Sequence, residues 1–449
     1  MKSYELVMGT AVNLRRKIQG YSEQTKFTKY LESIEYKSRD EIYALQSIEM
    51  SKMLQHAVEN VPYYSQFKGN LELSPETAHI DIKEFPILTK KIINEKGIEL
   101  LSKINISGKK YKTGGTSGIV ANIIRDKNEF THSADEYFNS MLGIVPGKSR
   151  LLIRRAESVY FAENSHDVKY YANPISKTYI ISPAFMDNER LELLYSVYSS
   201  KKPKLIMGIT DPIYRFAHYI IESNLKTFPI DGIHLGGQTL MPRHIKIIGK
   251  AFKTDKIYDG YGATEFGTVA QQCKEMGKWH YVPIIHYLEV VDNNFKEVSA
   301  GVQGQFIVTN LWKRNMPLIR YQIDDIAVMT DEKCTCNRGF PMVEKIEGRR
   351  IQSVVSPKHT YMTPLPIFEI MEKFNNVEDF LIEQRKENTV TVLLKMKSGE
   401  FSEIQQLTMR KDINRYLDYP MKLEYEYIDE IKPLPNGKIM RVRGYENFK

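Results

Sequence analysis

Between Ser149 and Phe252 the chain alternates short apolar runs, LLIR, KLIMGIT and GIHLGG, with the helical stretches DPIYRFAHYIIESNL and MPRHIKIIGKAF. A strand, a helix and a further strand in series need a crossover connection, and crossovers lay strands parallel. This alternation predicts an α/β fold whose large N-terminal part carries mainly parallel sheets with flanking helices. At 449 residues the chain passes the roughly 250 to 300 at which a single core stops growing, so more than one domain is expected.

Residues 1–70, rich in Lys, Glu, Gln and Tyr with scattered apolar positions, read as helices packed outside a larger body. After Gly348 the pattern becomes a helix around PLPIFEIMEKF, a hairpin of DFLIEQ and TVTVLLKM, a helix around EIQQLTMRKDINRYL, and the strand MKLEYEYI. In that strand Met421, Leu423, Tyr425 and Tyr427 alternate with Lys422, Glu424 and Glu426, the period of a half-buried strand. The expected division is a large domain over 1–348 and a small mobile α+β domain over 349–449.

The charge of +8, from 63 basic and 55 acidic residues, is scattered rather than blocked, which argues against a nucleic-acid surface and leaves anionic small molecules as partners. The start, MKSYELVMGTAVNLRRKIQ, lacks the apolar segment of a secretory leader, and no run of about 18 apolar residues occurs. A cytoplasmic protein without membrane insertion is expected. Three cysteines are too few for a disulfide framework and fit a reducing compartment.

Four segments carry candidate chemistry. Thr113, Gly114, Gly115, Thr116, Ser117 and Gly118 pack three glycines and three hydroxyls together, so backbone amides can turn toward a phosphate while hydroxyls add hydrogen bonds. No Gly-Lys-Ser/Thr follows, so this is not the Walker loop, and a plain Gly/Ser turn is the alternative. Asp259-Gly-Tyr-Gly-Ala-Thr-Glu265 follows the strand-like KIYD, at the end of a parallel strand where ligands bind. There Tyr261 offers a flat face for a base, Thr264 a hydroxyl, and Glu265 a hard oxygen for magnesium; a Gly-rich turn with an incidental acid is the competing reading. Pro317-Leu-Ile-Arg-Tyr-Gln-Ile-Asp-Asp325 ends in two carboxylates suited to sugar hydroxyls or to plain solvation. Pro433-Leu-Pro-Asn-Gly-Lys438 presents a lysine on a rigid turn, a place where surface lysines are common.

In this order and spacing the segments resemble the adenylate-forming superfamily of acyl-CoA synthetases, peptide-synthetase adenylation domains and luciferases. The phrases HAVENVPYYSQF and FPILTKKIINEKG are similar to its phenylacetate-CoA ligases and to ligase-like proteins of capsular-polysaccharide gene clusters, so the resemblance spans residues 45–449. It implies an ATP- and magnesium-dependent enzyme that activates a carboxylic acid as an acyl-AMP. Thr113 to Gly118 would be the triphosphate loop, Gly236 and Gly237 part of the adenine pocket, and Tyr261-Gly262 the adenine contact. Thr264 would touch phosphate, Glu265 hold magnesium, Asp325 bind ribose, and Arg349 sit at the inter-domain hinge. Lys438 would reach the reacting carboxylate and α-phosphate. Tyr137 to Ile144 and His234 to Gly237 are expected to line the acid pocket, although an aromatic-rich helix is more often core.

Two departures bear on the second half-reaction. The hinge Gly348-Arg-Arg-Ile-Gln-Ser353 lacks the aspartate that commonly follows the arginine, and Asp324 stands where a glycine is usual. The acceptor is accordingly open between coenzyme A, a carrier-protein thiol, and an amine or hydroxyl that would take the acyl group directly as an amide or ester. A non-catalytic nucleotide-binding homologue is the reading from another class.

All three cysteines fall in one pattern, Cys273-x6-His280 and Cys334-x-Cys336. A Cys3His set is a structural zinc ligation pattern, and thiolates favour zinc over magnesium. Unrelated buried cysteines are the alternative on spacing alone. The resemblance implies zinc at these positions.

Overall fold

The computed structural model describes residues 22–104, 107–113, 120–126, 130–144, 148–153, 171–173, 177–183, 186–431 and 440–448. Residues 1–21, Gly114 to Gly118 of the hydroxyl-rich loop, and Lys438 lie outside them.

The N-terminal helices are α1 (Ser22–Ile34) and α2 (Arg39–Asn60), followed by the short α3 (Ala78–Asp81) and α4 (Lys90–Lys96). Helix α2 starts where Ser38 and Glu41 exchange side-chain and backbone hydrogen bonds in a capping box, which satisfies amides that the first turn leaves without partners. Its residues Met50, Leu54, Ala57 and Val58 are buried in the main core. The helical reading of this region therefore holds over its described part.

The hairpin β1 (Gly108–Lys112) and β2 (Asn122–Asp126) brackets the hydroxyl-rich loop. Helix α5 (Thr131–Met141) precedes β3 (Arg150–Ile153), β4 (Tyr171–Asn173) and β5 (Thr178–Ile181). Then α6 (Asn188–Lys201), β6 (Leu205–Ile209), α7 (Thr210–Glu222), β7 (Gly232–Gly236), α8 (Pro242–Phe252) and β8 (Ile257–Ala263) realise the alternation seen in the sequence. Strands β5, β3, β6, β7 and β8 are neighbours and all parallel. Ile213, Phe216, Ala217 and Ile220 of α7, one stripe of the helix, bury against Ile206, Ile233 and Leu235 of this sheet.

The same sheet continues past β8 with the opposite rule. Strands β9 (Gly267–Gln272), β10 (Trp279–Tyr281), β11 (His286–Val291), β12 (Gln303–Asn310), β13 (Tyr321–Thr330) and β14 (Met342–Arg349) are joined antiparallel. Among the described residues the whole runs β11-β12-β13-β14-β10-β9-β8-β7-β6-β3-β5-β4, twelve strands. The class is α/β as expected, with the parallel set confined to the half where helices intervene.

After Gly348 come the small pair β15 (Val354–Val355) and β16 (Tyr361–Met362), α9 (Pro364–Met371), and β17 (Val377–Lys386) paired with β18 (Thr389–Met396). They are followed by α10 (Glu403–Leu417), β19 (Lys422–Tyr427) and β20 (Val442–Arg443). A second sheet, β19-β18-β17-β20, carries a core of its own that includes Phe368, Phe380, Val392, Met409 and Ile413.

Candidate active site

The parallel strands β7 and β8 end with Gly236 and Ala263, and several of the predicted residues lie on or just after these ends. Gly236 closes β7 opposite Gly260 of β8, so near that a Cβ on Gly236 would stand 2.8 Å from the Gly260 carbonyl oxygen. Gly237 follows in the left-handed region, φ +76°, where a residue without Cβ fits without strain. Tyr261 lies on β8, and Gly262 sits in a register shift so tight that a Cβ there would meet the Gly267 carbonyl oxygen at 2.5 Å.

Tyr261 donates its hydroxyl to Asp325 Oδ2 at 2.5 Å. Asp325 on β13 faces Arg349 on β14 as its Cα partner. Burial pushes the Asp325 carboxyl up from its ordinary range, and the Arg349 guanidinium and Tyr261 hydroxyl pull the other way. Residues more than sixty positions apart thus converge on one carboxylate. Next to it, Asp324 takes a left-handed φ of +69° and accepts from Lys90 Nζ at 2.9 Å.

Thr264 and Glu265 occupy the turn between β8 and β9. Glu265 is buried and accepts the Tyr321 hydroxyl on Oε1 at 2.9 Å. Lys313, fully buried, donates Nζ to the Glu265 carbonyl oxygen at 3.2 Å, and Arg125 donates to that of Thr264 at 3.5 Å. Two cations therefore converge on a turn predicted to meet phosphate. Sequence reasoning missed both, because a lysine in LWKRN reads as a surface residue until the fold buries it.

Thr113 is buried at the exit of β1, donating its amide to the Ala121 carbonyl oxygen at 2.9 Å and accepting the Ala121 amide on Oγ1 at 2.9 Å. It closes the neck of the predicted triphosphate loop, whose Gly114 to Gly118 are not among the described residues. The pocket assigned to Tyr137 to Ile144 is not supported by its leading residue. Tyr137 and Phe138 are buried with Phe340, Leu31 and Ile34, and Tyr137 gives its hydroxyl to Glu35 at 2.9 Å. The aromatic residues of this helix are core.

The Cys3His set converges. Cys273, His280, Cys334 and Cys336 offer four ligand atoms within 4.8 Å of one another. Cys273 and Cys334 Sγ are 3.6 Å apart and Cys336 Sγ is 3.3 Å from His280 Nε2. Ligands about 2.0 to 2.3 Å from a tetrahedral ion stand apart by roughly such distances. The other ring nitrogen, His280 Nδ1, lies 2.9 Å from the Phe340 carbonyl oxygen; as a donor there it leaves Nε2 facing the sulfurs, the usual support of a metal-bound histidine. Burial works against the Cys336 thiolate, yet hydrogen bonds with His280, the Arg338 backbone and Cys334, with the charge of His280, together outweigh it and bring the thiol down to about 5. The donor set fits zinc.

No family model matches the chain. Protein CapK of Staphylococcus aureus is 20% identical over 438 residues, 95% of each chain. A phenylacetate-coenzyme A ligase of Thermus thermophilus is 22% identical over 333 residues, 71% of this chain and 73% of that one. Among solved structures, 2-hydroxyisobutyryl-CoA ligase in its postadenylation state, in complex with R3-HIB-AMP, matches with a TM-score of 0.65 at 16% identity over 90% of both chains. The fold is that of the adenylate-forming ligases, and the resemblance drawn from the motifs is borne out. Among the described residues no helix is long and apolar enough to cross a membrane.

Proposed function

We propose that this chain, an adenylate-forming ligase by its fold and its relatives, uses ATP to activate a carboxylic acid as an acyl-AMP with release of pyrophosphate, then passes the acyl group to coenzyme A. The observation that carries this reading is the convergence of Tyr261, Asp325 and Arg349 at the strand ends beside the buried Glu265. A flat ring, a carboxylate for ribose hydroxyls and a carboxylate for a hard cation are what a Mg-nucleotide needs.

A carboxylate attacking the α-phosphorus is an anion meeting an anion, so the work is positioning and charge neutralisation. Thr113 to Gly118 cradle the triphosphate, Gly236, Gly237 and Gly262 let adenine approach, and Thr264 contacts phosphate. Glu265 is the residue that would hold magnesium, which when bound supplies charge to the departing pyrophosphate. Lys438, carried on the small domain that begins at Arg349, neutralises the reacting carboxylate and α-phosphate. Coenzyme A as acceptor is supported by the phenylacetate-coenzyme A ligase relative. Direct transfer to an amine or hydroxyl is the second reading, favoured by Asp324 and by the hinge without its aspartate. Cys273, His280, Cys334 and Cys336 hold a structural zinc that takes no part in turnover.

The test is pyrophosphate release from Mg-ATP over a panel of carboxylic acids, for the wild type and Lys438→Ala. Losing one preorganised charge costs about 100- to 1,000-fold, so the variant should bind ATP and all but stop turning over. Near-normal turnover of Lys438→Ala would remove the lysine from the mechanism, and ATP binding without pyrophosphate from any acid would leave a nucleotide-binding protein only.

A further inference from the structure

Two tyrosine–carboxylate hydrogen bonds cross between the segments that carry the nucleotide residues. Tyr261 on β8 donates to Asp325 Oδ2 at 2.5 Å, and Tyr321 on β13 donates to Glu265 Oε1 at 2.9 Å. Each segment thus supplies one hydroxyl and one carboxylate, and in each the carboxylate stands four residues after the tyrosine, Tyr261 to Glu265 and Tyr321 to Asp325. Because the bonds run between segments, each carboxylate is held by the other segment's ring. Tyr261, Thr264 and Asp325 are half-buried and Gly262 is exposed, so the crossed pair borders solvent.

Tyr321 is a donor fixed on every side. It is fully buried, and its ring centre lies 5.7 Å from that of Phe266. Val308 of β12 is its Cα partner on one side, and on the other the Leu88 amide donates to Arg320 and the Gln322 amide donates to Leu88. The backbone around Glu265 is gripped as well, since Lys313 and Arg125 donate to the carbonyl oxygens of Glu265 and Thr264. Among the described residues Tyr321 gives the Glu265 carboxylate its one hydrogen bond, on Oε1, which leaves Oε2 for a hard cation. Lys90 takes Asp324 at 2.9 Å, so the adjacent carboxylate has a partner of its own. Outer hydrogen-bond partners decide how a metal-binding carboxylate points, and a carboxylate that accepts two sugar hydroxyls needs the same control.

Resting on the adenylation reading above, we infer that the two hydroxyls are positioning groups with separate tasks. Tyr321 sets the Glu265 carboxylate toward magnesium, and Tyr261, besides offering its ring to adenine, sets Asp325 toward the ribose hydroxyls. The equal spacing on the two segments makes one frame of both carboxylates, so the metal end and the sugar end of the nucleotide are read at a fixed separation.

Calorimetry with ATP, 2′-deoxy-ATP and 3′-deoxy-ATP, with no acid present, separates the two tasks without turnover. The wild type should bind ATP more tightly in magnesium than in EDTA, and more tightly than the deoxy nucleotides. Removing an outer partner of a metal ligand costs about 10- to 100-fold in metal affinity, so Tyr321→Phe should cut the magnesium advantage by about that factor and leave the ribose preference alone. Tyr261→Phe should bring the ribose preference toward one and leave the magnesium advantage alone. Both substitutions keep the ring; if Tyr321→Phe does not fold, Tyr261→Phe, at a half-buried position, decides by itself. Hydroxyls that serve structure alone would shift both quantities together or neither, and either result overturns the inference while magnesium-dependent ATP binding still stands. A wild type that binds no ATP sinks the adenylation reading and this one together. Selective shifts without pyrophosphate release from any acid keep the positioning roles and sink adenylation.

Discussion

Asp259 sits on β8 two residues before Tyr261, with a carboxyl hydrogen-bonded by the Gly260 amide and pushed up to about 7 by burial. The unfolded chain gives up this proton near the ordinary aspartate value of about 3.9, whereas the native state keeps it up to about 7. Between those values the native protein binds more protons than the unfolded one, so stability falls as pH rises through the window. The shift corresponds to at most about 4 kcal/mol. Asp259→Asn keeps the shape and removes the charge, so its melting temperature relative to wild type should climb from pH 5 to pH 8 and level off above. A constant difference across that range would show the carboxyl to be solvated. At this scale no single motif marks out Tyr261, Glu265 or Asp325, each of which reads equally well as part of a turn; the order of the motifs and the family they resemble point to them. Lys313 was not legible, since what singles it out is its full burial, which depends on strands far along the chain.

The loop between β13 and β14 carries Cys334 and Cys336 of the Cys3His cluster and contacts the N-terminal helices. Arg39 donates to the carbonyl oxygens of Asp331 and Glu332 at 2.9 and 3.0 Å, Gly339 donates its amide to Glu35 at 2.7 Å, and Arg338 pairs with Glu35 at 2.5 Å. Gly339 packs so closely that a Cβ there would stand 1.8 Å from the Lys37 carbonyl oxygen. A zinc ion held by Cys334 and Cys336 would thus fix the platform on which the α1–α2 turn rests. Chelation should raise amide exchange across residues 35–41 together with 331–340 and lower the melting temperature, and zinc should restore both. Unchanged protection at 35–41 in metal-free protein would uncouple them. Elements with a clean period were read well from sequence: EIQQLTMRKDINRYL is α10 residue for residue, and the hairpin is β17 and β18. The antiparallel half was not, because β11 is buried at all six positions and β12 at all but its first, which erases the alternation that marks a half-exposed strand.

Among the described residues the second core meets the large body through Met241, which packs against it, and through polar contacts. Gln303 on β12 hydrogen-bonds the Tyr361 carbonyl oxygen at 2.9 Å, the Tyr361 hydroxyl donates to Asn293 at 2.8 Å, and Arg243 lies 5.0 Å over the Phe368 ring. Such an interface permits one body to move against the other, and the boundary proposed at Arg349 gains a physical test. Gly348, at φ +94°, leads into that boundary. Beyond it the chain returns on itself, for Gly444 donates its amide to Ile351 at 3.0 Å and Asn447 donates Nδ2 to the same carbonyl oxygen at 2.6 Å. Val354 belongs to the core of the second sheet. A fragment of residues 349–449 should therefore melt cooperatively and show dispersed amide resonances alone, whereas one starting at residue 360 loses Val354 and the Ile351 contacts and should melt lower or not fold. If both fragments were disordered, the second sheet would depend on the large body for its stability, and a lid carrying Lys438 could not swing as a unit.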